Sequence, residues 1–145
     1  MITDMFAADA VRLRALNDDG LPHPSTHGLR SIAARDVDPV SLAVLEVLLT
    51  DVAVEEAVAE AVRTPAQEAP DLYAGPVLTF VNAGLVRALP AVDDAALEIL
   101  ATDWIANGEL AGAQHAAVVD WLTAARSLFR DAAAKDRLIC VWNCL

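Results

Sequence analysis

His23-Pro24-Ser25-Thr26-His27 sets two imidazoles four residues apart, the spacing that lets one face of a helix offer two nitrogen ligands to a metal such as zinc. Pro24 between them and Gly28 after them break the helical turn that this spacing needs. A polar loop is therefore expected, and no metal or other cofactor is assigned. Cys140 and Cys144 are also four apart. On a strand they share a face at roughly 13 Å, too far for a disulfide, whereas on a helix they are neighbours. Read as strand residues, both are free thiols that pack beside Trp142. His115 borders the apolar stripe of a long helix and Asp120 lies round on its solvent side. A backbone carbonyl is the expected partner of such a histidine, not a catalytic triad with a cysteine.

Paired carboxylates occur at Asp18-Asp19, Glu55-Glu56 and Asp93-Asp94. Adjacent residues of a helix point about 100° apart, so these pairs do not converge as acid–base catalysis requires. Asp93-Asp94 reads as a helix cap. Neither a GxxxxGK[ST] loop nor a GxGxxG fingerprint is present, which sets nucleotide hydrolysis aside. No catalytic residue is assigned.

Charge is distributed unevenly. Between Asp36 and Glu109 there are fourteen Asp and Glu against two basic residues, Arg63 and Arg87, while the whole chain of 145 residues carries a formal charge of -11. The middle thus holds all of the net charge and the two ends roughly balance. Such a field repels phosphate backbones and anionic lipid, which disfavours nucleic-acid and membrane-surface binding. It suits a protein partner with a basic surface. Asp51, Glu55, Glu56, Glu60, Glu68 and Asp71 are the expected partner-binding acids, with Tyr73 as the apolar anchor beside them. The plainer reading of the same charge is solubility of an Ala-, Leu- and Val-rich protein.

The elements that must position these residues follow from periodicity. Met5, Phe6, Ala10, Leu13 and Leu16 recur at helical spacing and predict a first helix ending at Asn17-Asp18-Asp19-Gly20. Leu21 to Arg35 reads as a loop with one short turn of helix near Leu29 to Ala34. Asp38-Pro39 caps and opens a helix whose apolar residues surround its axis, leaving only Ser41 and Glu46 polar. Thr50-Asp51 caps a second segment to Val62, with Val54, Val58, Ala61 and Val62 on one face and Glu56 and Glu60 on the other. Thr64 to Pro76 is a loop.

Val77 to Val81 is β-prone, and Asn82 caps a helix that Pro90 ends. Asp93 or Asp94 opens a helix carrying Leu97, Leu100, Ala101 and Trp104 and stopped by Asn107-Gly108. Trp104, beside Asp103 and Asn107, is placed partly at the surface. Ala113 to Asp136 carries one apolar stripe through Val118, Trp121, Leu122, Ala125, Leu128, Phe129 and Ala132. Leu138 to Leu145 is apolar on both alternating faces, as an interior strand paired with Val77 to Val81 would be. The expected fold is α+β: one mainly helical domain over residues 1–145 with a two- or three-stranded sheet that includes the C-terminal strand. An all-α fold is the alternative if the last eight residues are helical.

Three stretches, Ser41 to Asp51, Gly75-Pro-Val-Leu-Thr-Phe80 leading into a helix with Leu97, and the long helix running into Leu138-Ile-Cys-Val-Trp142, together resemble the YfbM-like family of uncharacterised small bacterial proteins. The resemblance covers residues 38–145 and implies a compact α+β domain ending in a strand. No functional residue carries over from it.

Met1 to Leu16 has neither a basic start nor an uninterrupted apolar run, and acids interrupt the stretch Val40 to Val62. The expectation is a cytoplasmic protein with no secretory signal or membrane span. Its expected function is non-catalytic binding of a basic partner, in its sharpest form an immunity-type inhibitor of a basic effector. The alternative is a small enzyme or biosynthetic accessory protein whose pocket uses His23, His27, His115 or Cys140. Homodimerisation through a helical face is the third option.

Overall fold

The chain is seen here in a computed structural model that describes residues 2–34, 37–63, 75–107 and 110–144. It opens with strand β1 (Ile2–Ala8) and helix α1 (Ala10–Asp18), then a 3-10 turn (Pro24–His27) and the short strand β2 (Ser31–Ala33). Helices α2 (Pro39–Leu49) and α3 (Val54–Arg63) come next, then β3 (Val77–Phe80) and α4 (Ala83–Ala88), which runs into a 3-10 turn (Leu89–Ala91). Helices α5 (Asp94–Asn107) and α6 (His115–Ala134) lead to β4 (Leu138–Cys144). The strands form one antiparallel sheet in the order β2-β1-β4-β3. This is an α+β fold with the C-terminal strand inside the sheet.

Both faces of the sheet are covered. Met5, Ala7, Ile139 and Val141 point to one side and pack with Leu45, Leu85, Leu97, Trp104, Leu122 and Phe129 from the helices that follow β2. Phe6, Ala8, Cys140 and Trp142 point to the other side, against Leu13 and Leu16 of α1 and Leu21 and Leu29 of the loop. Each large side chain buried in this way contributes about 1.5–3 kcal/mol. Double-sided burial is why Met5 to Ala8 of β1 and Leu138 to Trp142 of β4 are unbroken apolar runs.

The same burial explains the first correction to the sequence reading. Met5 and Phe6 belong to β1 and face opposite layers, and only Ala10, Leu13 and Leu16 belong to a helix. Asp9 ends the strand and caps α1, accepting the Arg12 amide at 2.8 Å. Leu21 to Arg35 holds a 3-10 turn at Pro24–His27 and strand β2, in place of the helical turn expected near Leu29 to Ala34. The sheet accordingly has four strands.

Helix α2 begins as its sequence dictates. Asp38 accepts the Ser41 amide at 2.7 Å and Pro39 fills the first turn. Thr50 closes α2, and α3 starts only at Val54, with Ala57 and Ala61 buried. Val54, placed by the sequence on the apolar face of this segment, is 48 % exposed. Trp104 is buried, not partly exposed, and its indole N–H donates to Ser41 O at 3.0 Å.

Asn82 precedes α4, but its side chain does not cap that helix. It donates instead to Glu46 Oε2 at 2.6 Å and to Ala57 O at 2.8 Å, tying α2, α3 and the start of α4 together. The α4 amide of Ala83 is met by Glu60 Oε1 at 3.2 Å. Gly84 packs over the buried Glu46 carboxylate so closely that a Cβ there would collide with Glu46 Oε1. Gly84→Ala is therefore expected to lower stability by about 1–3 kcal/mol, read as a lower urea midpoint at unchanged slope.

Candidate functional site

Antiparallel pairing decides which parts of the chain share an end of the sheet. Ala8 lies opposite Leu138 and Phe6 opposite Ser31. The residues just after β1, just before β2 and just before β4 therefore meet at one corner, alongside the C-terminal half of α6. A cleft of about 590 Å³ opens there, lined by Ala7, Gly28, Leu29 and Ile32, by Ser31 and Ser127, and by the α6 residues Ala124, Leu128 and Asp131. Four cations complete the wall: Arg12, Arg30, Lys135 and Arg137. This volume is within the range of small-molecule sites.

The charge in the cleft runs against that of the protein. Four of the ten Lys and Arg residues face one carboxylate here, in a chain of net charge -11. Asp131 pairs with Lys135 at 3.0 Å. Among the described residues no carboxylate lies within ion-pairing distance of Arg12, Arg30 or Arg137. Lys135 and Arg137 also follow the C-terminus of α6, where a cation is favoured by the helix dipole. That accounts for neither Arg12 nor Arg30, which come from α1 and the loop before β2.

Local structure delivers Arg137 to the site. Asp136 adopts a left-handed conformation (φ 51°), and the Arg137 amide donates back to Ala132 O at 2.9 Å. This is the hydrogen bond of a Schellman helix end. It turns the chain from α6 directly into β4. Three guanidinium groups with the Ser127 hydroxyl suit an anion with several oxygens, because guanidinium offers paired donors to carboxylate or phosphate.

The acids singled out by sequence have several fates. Asp51, Glu55 and Glu56 are exposed at the turn before α3 and in its first turn, where carboxylates also favour the positive end of the helix. Glu60 is half-buried and accepts the Ala83 amide. Glu68, Asp71 and Tyr73 lie outside the described residues.

The histidines do not converge. His23 Nε2 lies 3.0 Å from Asp4 Oδ2, and His27 Nε2 lies 2.8 Å from Asp19 Oδ2. His115 Nε2 is 3.1 Å from Glu98 O, the backbone-carbonyl partner expected of it. None of the three lines the cleft. No group of three or more His, Cys, Asp or Glu able to hold a metal occurs among the described residues, and no described helix is long and apolar enough to cross a membrane.

Sequence reasoning missed the cleft, because Arg12 and Arg137 are far apart along the chain and neither belongs to a motif. One signal was available: eight of the ten basic residues lie outside the acidic middle.

Cys140 and Cys144 are free thiols on β4, as the strand reading requires. Burial pushes the Cys140 thiol from 9.0 up to about 12. Ellman's reagent is thus expected to titrate Cys144 alone in the folded protein at pH 8, and both cysteines in guanidinium. Because the folded thiol ionises later than the unfolded one, its contribution to stability is complete below pH 9 and is lost as pH rises towards 12. Cys140→Ala is expected to flatten that alkaline decline in a urea-midpoint profile.

Compared with known proteins, the chain matches no family model, no curated protein and no solved structure.

Proposed function

We propose that this protein binds a small, multiply charged anion in the cleft between α1, β2 and the end of α6. The observation that carries this reading is the gathering of Arg12, Arg30 and Arg137, without carboxylate partners among the described residues, on one concave surface of an acidic protein. Like charges held together repel, and an anion seated among them relieves that repulsion while accepting their hydrogen bonds. The exposed hydroxyl of Ser127 adds a neutral donor to the wall. This is a small-molecule pocket built on arginine, not on histidine or cysteine.

Calorimetric titration with inorganic phosphate, pyrophosphate and a tricarboxylate is the test. Saturable binding is expected, with Arg30→Ala and Arg137→Ala each weakening it about tenfold or more, the worth of one charge-assisted contact. Absence of binding by all three anions at millimolar concentration would reject the reading.

A second reading keeps the acidic protein-binding module and rests on the exposure of Asp51, Glu55 and Glu56 beside the exposed Val54. On this reading the corner between α2 and α3 steers a basic partner, such as the effector of an immunity-type pair, and Val54 supplies apolar contact. A pull-down from the native host compares the wild type with the triple reversal Asp51→Lys, Glu55→Lys, Glu56→Lys. A basic protein held by the first and lost from the second is the expected result. Equal recovery by both removes this reading.

A further inference from the structure

We propose that Ser25 is a nucleophile for acyl transfer from esters, with His23 as its general base and Asp4 as the residue that positions the imidazole. This inference is independent of the anion cleft and rests on a different cluster, the chain of hydrogen bonds that runs from β1 to the 3-10 turn.

Asp4 lies in β1 with its side chain 8 % exposed. Its Oδ1 accepts the Ser31 hydroxyl at 2.8 Å and its Oδ2 meets His23 Nε2 at 3.0 Å. On the other side of the ring, the Ser25 backbone amide reaches His23 Nδ1 at 3.2 Å. An amide can only donate, so Nδ1 carries the lone pair and Nε2 carries the proton that points at Asp4. Trp142, directly across the strand pair from Asp4, meets the imidazole edge-on at 5.2 Å between ring centres and holds its plane. The other tautomer, with the proton on Nδ1, would set N–H against N–H at Ser25 and leave the buried carboxylate without its donor.

The Ser25 hydroxyl completes the array. Its Oγ lies 2.7 Å from His23 Nδ1, and the residue is exposed. A nucleophile within hydrogen-bond reach of a base, and a base oriented by a third group, is the arrangement that activates serine. The ring nitrogens are used in the opposite sense to the serine-protease triad, with Nδ1 towards serine and Nε2 towards the carboxylate. The chemistry needs one basic nitrogen and one oriented N–H, and either order supplies both.

A turn cap explains only part of this geometry. Capping accounts for the bond from the Ser25 amide to Nδ1, yet it requires neither the hydroxyl on the same nitrogen nor a buried carboxylate behind the ring.

In the reaction, Ser25 Oγ attacks the ester carbonyl carbon as its proton passes to Nδ1, and the imidazolium is stabilised by Asp4. Collapse of the tetrahedral intermediate breaks the bond to the alcohol oxygen, which takes the proton from Nδ1. The acyl-Ser25 is then attacked by water, whose proton again goes to Nδ1 and returns to Ser25 as the acid leaves. Ester and water give acid and alcohol, and the enzyme is regenerated.

The test is covalent labelling of the full-length protein with an alkyl fluorophosphonate, mapped by peptide mass spectrometry, alongside p-nitrophenyl acetate hydrolysis. One adduct per chain on Ser25 is expected, absent in Ser25→Ala. His23→Gln is expected to slow labelling at least about 100-fold, the usual worth of a general base. Asp4→Asn should lower the maximal labelling rate without changing the concentration for half-saturation, a split that general loosening of the fold would not give. Failure of the folded wild type to label at Ser25, or labelling at an undiminished rate in His23→Gln, would overturn the proposal and leave His23 as a clamp that fastens the turn to β1.

Discussion

The antiparallel pairing of β1 with β4 is the contact on which the rest of the structure depends. Seven residue pairs, from Ile2 opposite Cys144 to Ala8 opposite Leu138, join the two ends of the chain. Both strands are interior, since β2 lies beyond β1 and β3 beyond β4. Closing so long a loop carries an entropic cost that grows only slowly with length. What offsets it is burial on both faces at once, because Met5, Ala7, Ile139 and Val141 insert into one layer and Phe6, Ala8, Cys140 and Trp142 into the other. Phe6 or Cys140 on one face and Met5 or Val141 on the other are therefore parts of a single cooperative arrangement.

That pairing also separates charge in space. Since β1 and β4 run in opposite directions, the exit of the first and the entrance of the second fall at the same end, and β2 adds its own entrance beside them. The basic residues flanking these strands, Arg12, Arg30, Lys135 and Arg137, are collected there. Several acids of the middle of the chain have structural tasks. Asp38 and Asp93 cap helices, Glu46 anchors Asn82, Glu60 completes α4, and Asp94 pairs with the nearly buried Arg126 at 2.6 Å. Many of these acids are structural parts whose charge is a by-product of their hydrogen bonding.

How far this could be read from the sequence depends on whether a feature is local. The Asp38-Pro39 start, the apolar stripe of α6, the β4 strand and its partner β3 were all legible, because cap residues and periodicity act within a few positions. The opening strand was not. Phe6 with Leu13, and Met5 with Leu16, mimic a helical repeat when a strand buried on both faces runs straight into an amphipathic helix. The cleft and the Asp4–His23–Ser25 array were out of reach for another reason. Each is assembled by strand register, and register is a long-range property that one residue type at one position does not announce.

Net charge and cleft charge act over different distances, which makes the proposed anion site compatible with an acidic protein. At physiological ionic strength a field is screened over about 8 Å, so the net charge of -11 acts weakly at contact distances inside the cleft. A small anion seated in the corner bonds directly to guanidinium groups at about 2.7–2.9 Å, well inside that distance. There the local sign of the charge governs its energy. An acidic exterior and an attractive cleft are thus compatible, and under the proposed function a compact anion would gain contacts from three separate elements. Burial of Asp4 beneath the turn fits the same layout, since the one carboxylate that shares Ser31 with the cleft wall is already engaged by Ser31 and His23.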